Sequence, residues 1–164
     1  MAFRKTIWIV VFLTLSPFAS AKQTVVGYLE KVEVYPGGVE IKAKVDSGAT
    51  NSSLNCTCTE FFKKDGEDWV RFGVRNYKDE TAVFEKKLVG YTKVKRHFGE
   101  TQSRPVIKLG ICMAGVYREV KVNLVDRAGY NYQMLIGRSF MLGDFLIAPD
   151  QKYLTKPNCP TAVE

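Results

Sequence analysis

From Thr24 to Val45 the chain gives the same instruction twice. "TVVGYLEKVEVY" is followed by Pro36-Gly37-Gly38 and then by "VEIKAKV". In the second block Val39, Ile41, Ala43 and Val45 fall on one face, while Glu40, Lys42 and Lys44 fall on the other. A period of two is that of a strand with one buried face, and Pro-Gly-Gly is turn chemistry, so residues 24–45 read as a hairpin. The pattern continues through "DWVRFGVRNY" (68–77) and "TAVFEKKLVGYTKVK" (81–95), the latter a pair of strands or one long bent strand. "RPVIKLGICMAGVYREVKVNLVD" (104–126) reads as a hairpin turning near Met113-Ala114-Gly115, and "YQMLIG" (132–137) as a short apolar strand. "DFLIAP" and "KYL" read as short terminal strands. Only "RSFML" (138–142) has the makings of a helical turn or two, stopped at Gly143. There is no long 3.6-residue period, no internal repeat and no linker. The class is all-β, with strands at the spacing of a barrel or sandwich.

The N-terminus follows a different rule. Arg4 and Lys5 precede the apolar run "TIWIVVFLTL", Pro17 ends it, and Ala19-Ser20-Ala21 offers small residues for a signal peptidase. The run is shorter than the roughly 20 residues of a membrane span. The expectation is a signal peptide over residues 1–21, a single domain over 22–164, no membrane span after cleavage, and a periplasmic or secreted product. The formal net charge is +7. The basic residues (Lys63-Lys64, Lys86-Lys87, Lys93, Lys95-Arg96, Lys152) are scattered, and acidic residues are interleaved with most of them. That is a solvated surface rather than a nucleic-acid footprint.

An exported chain meets an oxidising compartment, so its four cysteines invite a disulfide. Cys159 lies in the Pro-flanked tail "KPNCP", which gains from being tied down, and the expected partner is Cys56 or Cys58. A zinc site would draw on the same residues. The chain offers a single histidine, His97, and no Cys-x-x-Cys or His-x-x-x-His pair. It also lacks a G-x-x-x-x-G-K-[ST] loop to cradle ATP. No cofactor and no metal is expected.

Asp46 stands where the alternating strand gives way to "DSGATNSSL". Ser47 can hydrogen-bond locally. Gly48 lets backbone approach a partner closely and can adopt positive φ. A loop of this kind can present a carboxylate at a fixed point, although Asp-Ser-Gly by itself is most often a plain turn. Far downstream, "MLIGRSF" places an apolar pair and Gly137 before Arg138 and the short helix.

Taken together, residues 43–54 and 134–142 resemble the aspartic peptidases of the retropepsin type. The chain is similar in particular to the bacterial retropepsin-like peptidases that carry the label "ATP-dependent zinc protease". The resemblance covers about residues 25–154, through "VDSGATNSSL", "WVRF", "RPVIKLGI", "LVDRAGYNYQMLIGRSFM" and "FLIAP". It implies a closed acid-protease barrel with one short C-terminal helix. It also implies a homodimer in which Asp46 of each copy supplies half of a dyad, with Ser47 and Gly48 completing the catalytic loop. Ala49, Asp126, Arg127, Tyr130 and Tyr132 would line the substrate groove. Gly137 and Arg138 would support the loop, with Arg138 bonding its backbone or Thr50 or Asn51. Arg104 matches the bacterial pattern, and residues 90–101 are the candidate flap. The chain departs from viral retropepsins in a longer insert before "RPVI", in lacking a Gly-Gly-rich flap tip, and in lacking an obvious C-terminal strand for a dimer sheet. Three readings follow: an exported aspartic endopeptidase; a catalytically silent β-barrel that binds peptides or an envelope partner through the same groove; and a zinc peptidase. A one-chain site with Asp126 as the second carboxylate is a variant of the first.

Overall fold

The computed structural model describes residues 22–94, 101–125 and 131–160. The expected signal peptide, Asp126, Arg127, Tyr130, His97 and the centre of the candidate flap lie outside them. Ten strands and one helical turn appear in the order β1 (Thr24–Tyr35), β2 (Val39–Val45), β3 (Ser52–Asn55), β4 (Thr57–Lys64), β5 (Glu67–Arg75), β6 (Thr81–Val94), β7 (Gln102–Met113), β8 (Val116–Val125), β9 (Met134–Ile136), α1 (Arg138–Met141) and β10 (Phe145–Lys152).

The sheet runs β10-β1-β2-β9-β3-β8-β7-β6-β5-β4, and an added β1–β7 pairing closes β1, β2, β9, β3, β8 and β7 into a six-stranded barrel. Long strands make the closure possible by serving two neighbours each. The first half of β7 pairs with β6 through Gln102–Ile107, and its far end pairs with β1 through Gly110–Cys112. β6 likewise pairs with β5 up to Lys87, shifts register between Leu88 and Gly90, and goes on with β7. Thr81–Val94 are therefore one long strand, and Lys95 lies outside the described residues. Phe145–Lys152 form one strand, β10, which ends before Tyr153 and Leu154, so "KYL" is not a second strand. The β4 strand had no expectation attached to it.

The alternation read from sequence is the burial pattern of the barrel. Ile41 and Ala43 on β2 are fully buried and Val45 nearly so, and they meet Val32, Val34, Leu54, Ile107, Leu109 and Ile136. Each such aliphatic side chain contributes about 1.5–3 kcal/mol on burial. The core continues out of the barrel under β4–β6, where Phe72 and Phe84 stack at 5.7 Å.

Glu30 is a charged residue at an inward position of β1, in phase with Val26, Val32 and Val34, and it too is fully buried. Its carboxylate accepts from the amides of Gly27 (2.7 Å), Leu154 (3.0 Å) and Thr155 (3.2 Å) and from the Thr155 hydroxyl (3.1 Å). A buried carboxylate needs such partners. The effect is to clasp the C-terminal tail onto β1. Beyond the clasp the Gly115 amide donates to the Pro157 carbonyl at 2.5 Å, bringing the tail to the β7–β8 turn. There Cys159 bonds to Cys112, not to Cys56 or Cys58. The expectation failed because the direction of the tail is set by Glu30 and Gly115. Cys56 is buried at the β3–β4 junction, its amide donating to Val125.

Candidate active site

β9 lies between β2 and β3, parallel to the first and antiparallel to the second. The loop 46–51 must therefore leave β2, pass the end of β9, and return on β9's far side. Asp46 is the first residue of that loop. Its amide donates to the Ile136 carbonyl at 2.9 Å, so its backbone continues the β2–β9 pairing. Its carboxylate Oδ1 accepts from the Gly48 amide at 2.9 Å, and its carbonyl accepts from the Ala49 amide at 3.3 Å. Gly48 is not among the positive-φ glycines. Its requirement is spatial: an added Cβ would stand 3.1 Å from Asp46 Oδ1.

The other wall of the loop is the turn after β9. Gly137 packs so closely that a Cβ there would lie 2.6 Å from the carbonyl carbon and oxygen of Asn51. The Gly137 amide donates to Ser52 Oγ at 3.1 Å. The next two amides, of Arg138 and Ser139, donate to the carbonyls of Ala49 and Thr50, both at 2.9 Å. The Arg138 side chain adds bonds to the Ser47 carbonyl (2.7 Å) and to Thr50 Oγ1 (3.0 Å). Ser47 and Gly48 remain exposed, and Asp46 and Ala49 are half-buried. The loop thus offers the Asp46 carboxylate at a surface while its backbone is fixed from below.

Beside the loop is a cavity of about 500 Å³, reached by Thr50, Asn51, Ser53, Lys93, Arg104 and Asn123. Ala49 also lines it. Arg104 donates from Nε to Gln102 Oε1 (3.0 Å) and from Nη1 to Asn123 Oδ1 (3.3 Å). Asn123 in turn donates to the Ser52 carbonyl at 2.9 Å. A polar relay therefore links the cavity to the loop's return strand. Asn123, Ser52, Ser53 and Lys93 were not singled out from sequence. Asn123 had one signal, a polar residue interrupting the apolar run "VNLV", while Ser52, Ser53 and Lys93 lay inside segments that were singled out only as wholes. Tyr132 is half-buried just ahead of β9. Asp126, Arg127 and Tyr130 cannot be placed, being outside the described residues. Of the flap candidate, residues 90–94 are the end of β6, paired with β7 as far as Val94 opposite Gln102. Among the described residues no cluster of three or more His, Cys, Asp or Glu could hold a metal ion.

A closed six-stranded barrel with an Asp-Ser-Gly loop seated on an Ile-Gly-Arg turn defines a retropepsin-like architecture. The chain belongs to the RimB-like family, described as retropepsin-like aspartic endopeptidase RimB, whose sequence profile matches residues 25–158. A protein named "Probable alpha-L-glutamate ligase" from Shewanella pealeana is 34% identical over 116 residues, covering 69% of this chain and 25% of that protein. One of the same name from Desulfotalea psychrophila is 30% identical over 112 residues, covering 66% of this chain and 24% of that protein. The chain thus spans about a quarter of the length of the curated relatives it matches. The crystal structure of a Legionella pneumophila protein of unknown function superposes with a TM-score of 0.69 at 30% identity. It covers 82% of this chain and all of that one.

Proposed function

We propose that this chain is an exported aspartic endopeptidase whose catalytic pair is Asp46 from each of two copies. The observation that carries the reading is the fixing of the Asp46 loop, whose carbonyls at Ser47, Ala49 and Thr50 all accept from Arg138 or Ser139. Such immobilisation is what a positioned general base requires. A two-fold axis through the loop would bring the two carboxylates together, since a point on the axis meets its own image. Two carboxylates about 3 Å apart share one proton. The ionised one takes a proton from water as the water oxygen attacks the scissile carbonyl carbon. The protonated one donates to the carbonyl oxygen. Collapse of the tetrahedral diol breaks the C–N bond as the leaving nitrogen gains a proton, giving a free carboxyl and a free amine. Ser47, exposed at the loop tip, would brace the opposite loop across that axis.

Lys93 and Arg104 beside the loop favour peptides with acidic side chains. The glutamate ligase name of the relatives points to the same chemistry. A periplasmic or secreted location is supported by the Arg-Lys, apolar and Ala-Ser-Ala order of residues 1–21 and by the Cys112–Cys159 bond. The test is cleavage of an unbiased peptide library by wild type and by Asp46→Asn. Cleavage by the wild type alone supports the reading. A folded Asp46→Asn protein that cleaves equally well contradicts it, and a wild type that binds peptides without cutting them points to a silent binding barrel.

A further inference from the structure

Phe61 and Tyr91 are the most exposed aromatic side chains among the described residues, at 53% and 61%. Both lie on the three-stranded extension of the barrel, and both border one cleft of about 360 Å³. Its remaining apolar lining comes from Cys56, Pro105, Leu124 and Val125. The exposure of Phe61 is particular to its face of β4. Its neighbour Phe62 points the other way, under the Arg71 guanidinium at 5.2 Å, and Trp69 on the same outer face is covered by Lys64 at 4.9 Å. Among the described residues no cation covers Phe61 in this way. It pairs with Val70, which is fully buried, so it continues the row of core side chains out over open space.

Arg104 lines this cleft and also the cavity beside the Asp46 loop. The two therefore adjoin at Arg104 as one groove, in which Phe61, Tyr91, Pro105, Leu124 and Val125 supply an apolar wall beyond Arg104. We propose that the Phe61–Tyr91 cleft is a substrate subsite that takes one aromatic or branched aliphatic side chain of a bound peptide. The occupant is assigned from the continuity of the groove, and that assignment rests on the peptidase reading of Asp46. An extended peptide anchored near Asp46 passes Arg104 and reaches the cleft without leaving the surface. Aromatic walls suit an apolar side chain because they bury large areas with few torsions to freeze. The subsite is built by β4–β6 together with β7 and β8, so it belongs to the extension as much as to the barrel.

The test separates binding from cleavage by using Asp46→Asn protein. Capped Glu-rich peptides that differ only in one central Phe, Leu or Ser are titrated against it by fluorescence anisotropy. The Phe and Leu peptides should bind at least about tenfold more tightly than the Ser peptide. Phe61→Ala in the same background, and separately Tyr91→Ala, should erase most of that preference while thermal unfolding stays close to the parent's. Equal affinities for the three peptides, no binding of any, or a preference that survives both substitutions would overturn the proposal. So would a change in sedimentation of the wild-type protein on Phe61→Ala, which would make the cleft a contact between copies. Failure of the peptidase reading shows separately, as wild-type protein inert toward every peptide while the binding preference is still present.

Discussion

Arg138 Nη1 donates to the carbonyl of Ser47 at 2.7 Å, across 91 positions of sequence. The same side chain holds Thr50 Oγ1, and the Arg138 amide holds the Ala49 carbonyl. One residue after β9 therefore fastens the Asp46 loop at three points. A planar guanidinium can serve two acceptors at once, which a lysine ammonium on a flexible stem does poorly.

Arg138→Lys should consequently leave the fold nearly unchanged, within about 1 kcal/mol for so exposed a side chain. The turnover number should fall on the order of 10², the usual consequence of a loosened catalytic group. Thermal unfolding and steady-state kinetics measured side by side check this. A large loss of stability with activity per folded molecule intact would contradict it.

Gly137→Ala should behave in the opposite way. The new methyl must push against backbone at Asn51, not against a flexible side-chain end. Overpacking of this kind costs about 1–3 kcal/mol. Denaturant unfolding should show the loss, and hydrogen exchange should show weaker protection of the Arg138 and Ser139 amides.

Much of this arrangement was legible in the sequence. The period-two blocks marked the barrel strands because the barrel has one wet face. The Asp46–Gly48 and Ile136–Arg138 segments stood out because tight backbone approach demands glycine and a fixed carboxylate. Other features were not legible. β4 carries "TCTEFFKK", whose adjacent aromatics face opposite ways, so no single face announced itself. The Cys112–Cys159 bond follows from the path of the tail, which is set by a buried Glu30 whose charge, though not its place in the alternation, argues for the surface. Asn123 lies in an apolar run and draws its role from a partner, Ser52, on a strand 71 positions away.

Glu30→Ala should release the tail from β1. The substitution removes the acceptor of the buried Gly27 amide and of the part-buried Leu154 and Thr155 amides, at a cost of about 3 kcal/mol. Glu30→Gln keeps one acceptor oxygen and should fall between the two. Equilibrium unfolding ranks the three proteins, and an Ala variant as stable as the parent would contradict the clasp.

Tyr35 gives a pH dependence whose sign can be worked out. Burial, and then its hydrogen bond to Glu33, push its phenol up from 10.0 to about 12. The folded chain therefore holds this proton when the unfolded chain has released it. The associated stability is fully present below about pH 10 and is lost as pH rises through about 12. Tyr35→Phe should remove this part of the alkaline destabilisation, and an ultraviolet titration should lose a tyrosinate step at about pH 12.

The two-chain dyad is tested most directly by mixing wild-type protein with folded Asp46→Asn protein at constant total concentration, after subunit exchange, and measuring peptide cleavage. If each site needs Asp46 from both copies, mixed dimers are inactive and activity falls as the square of the wild-type fraction. Activity that falls in direct proportion to the wild-type fraction would mean that each chain works alone, and would contradict the account.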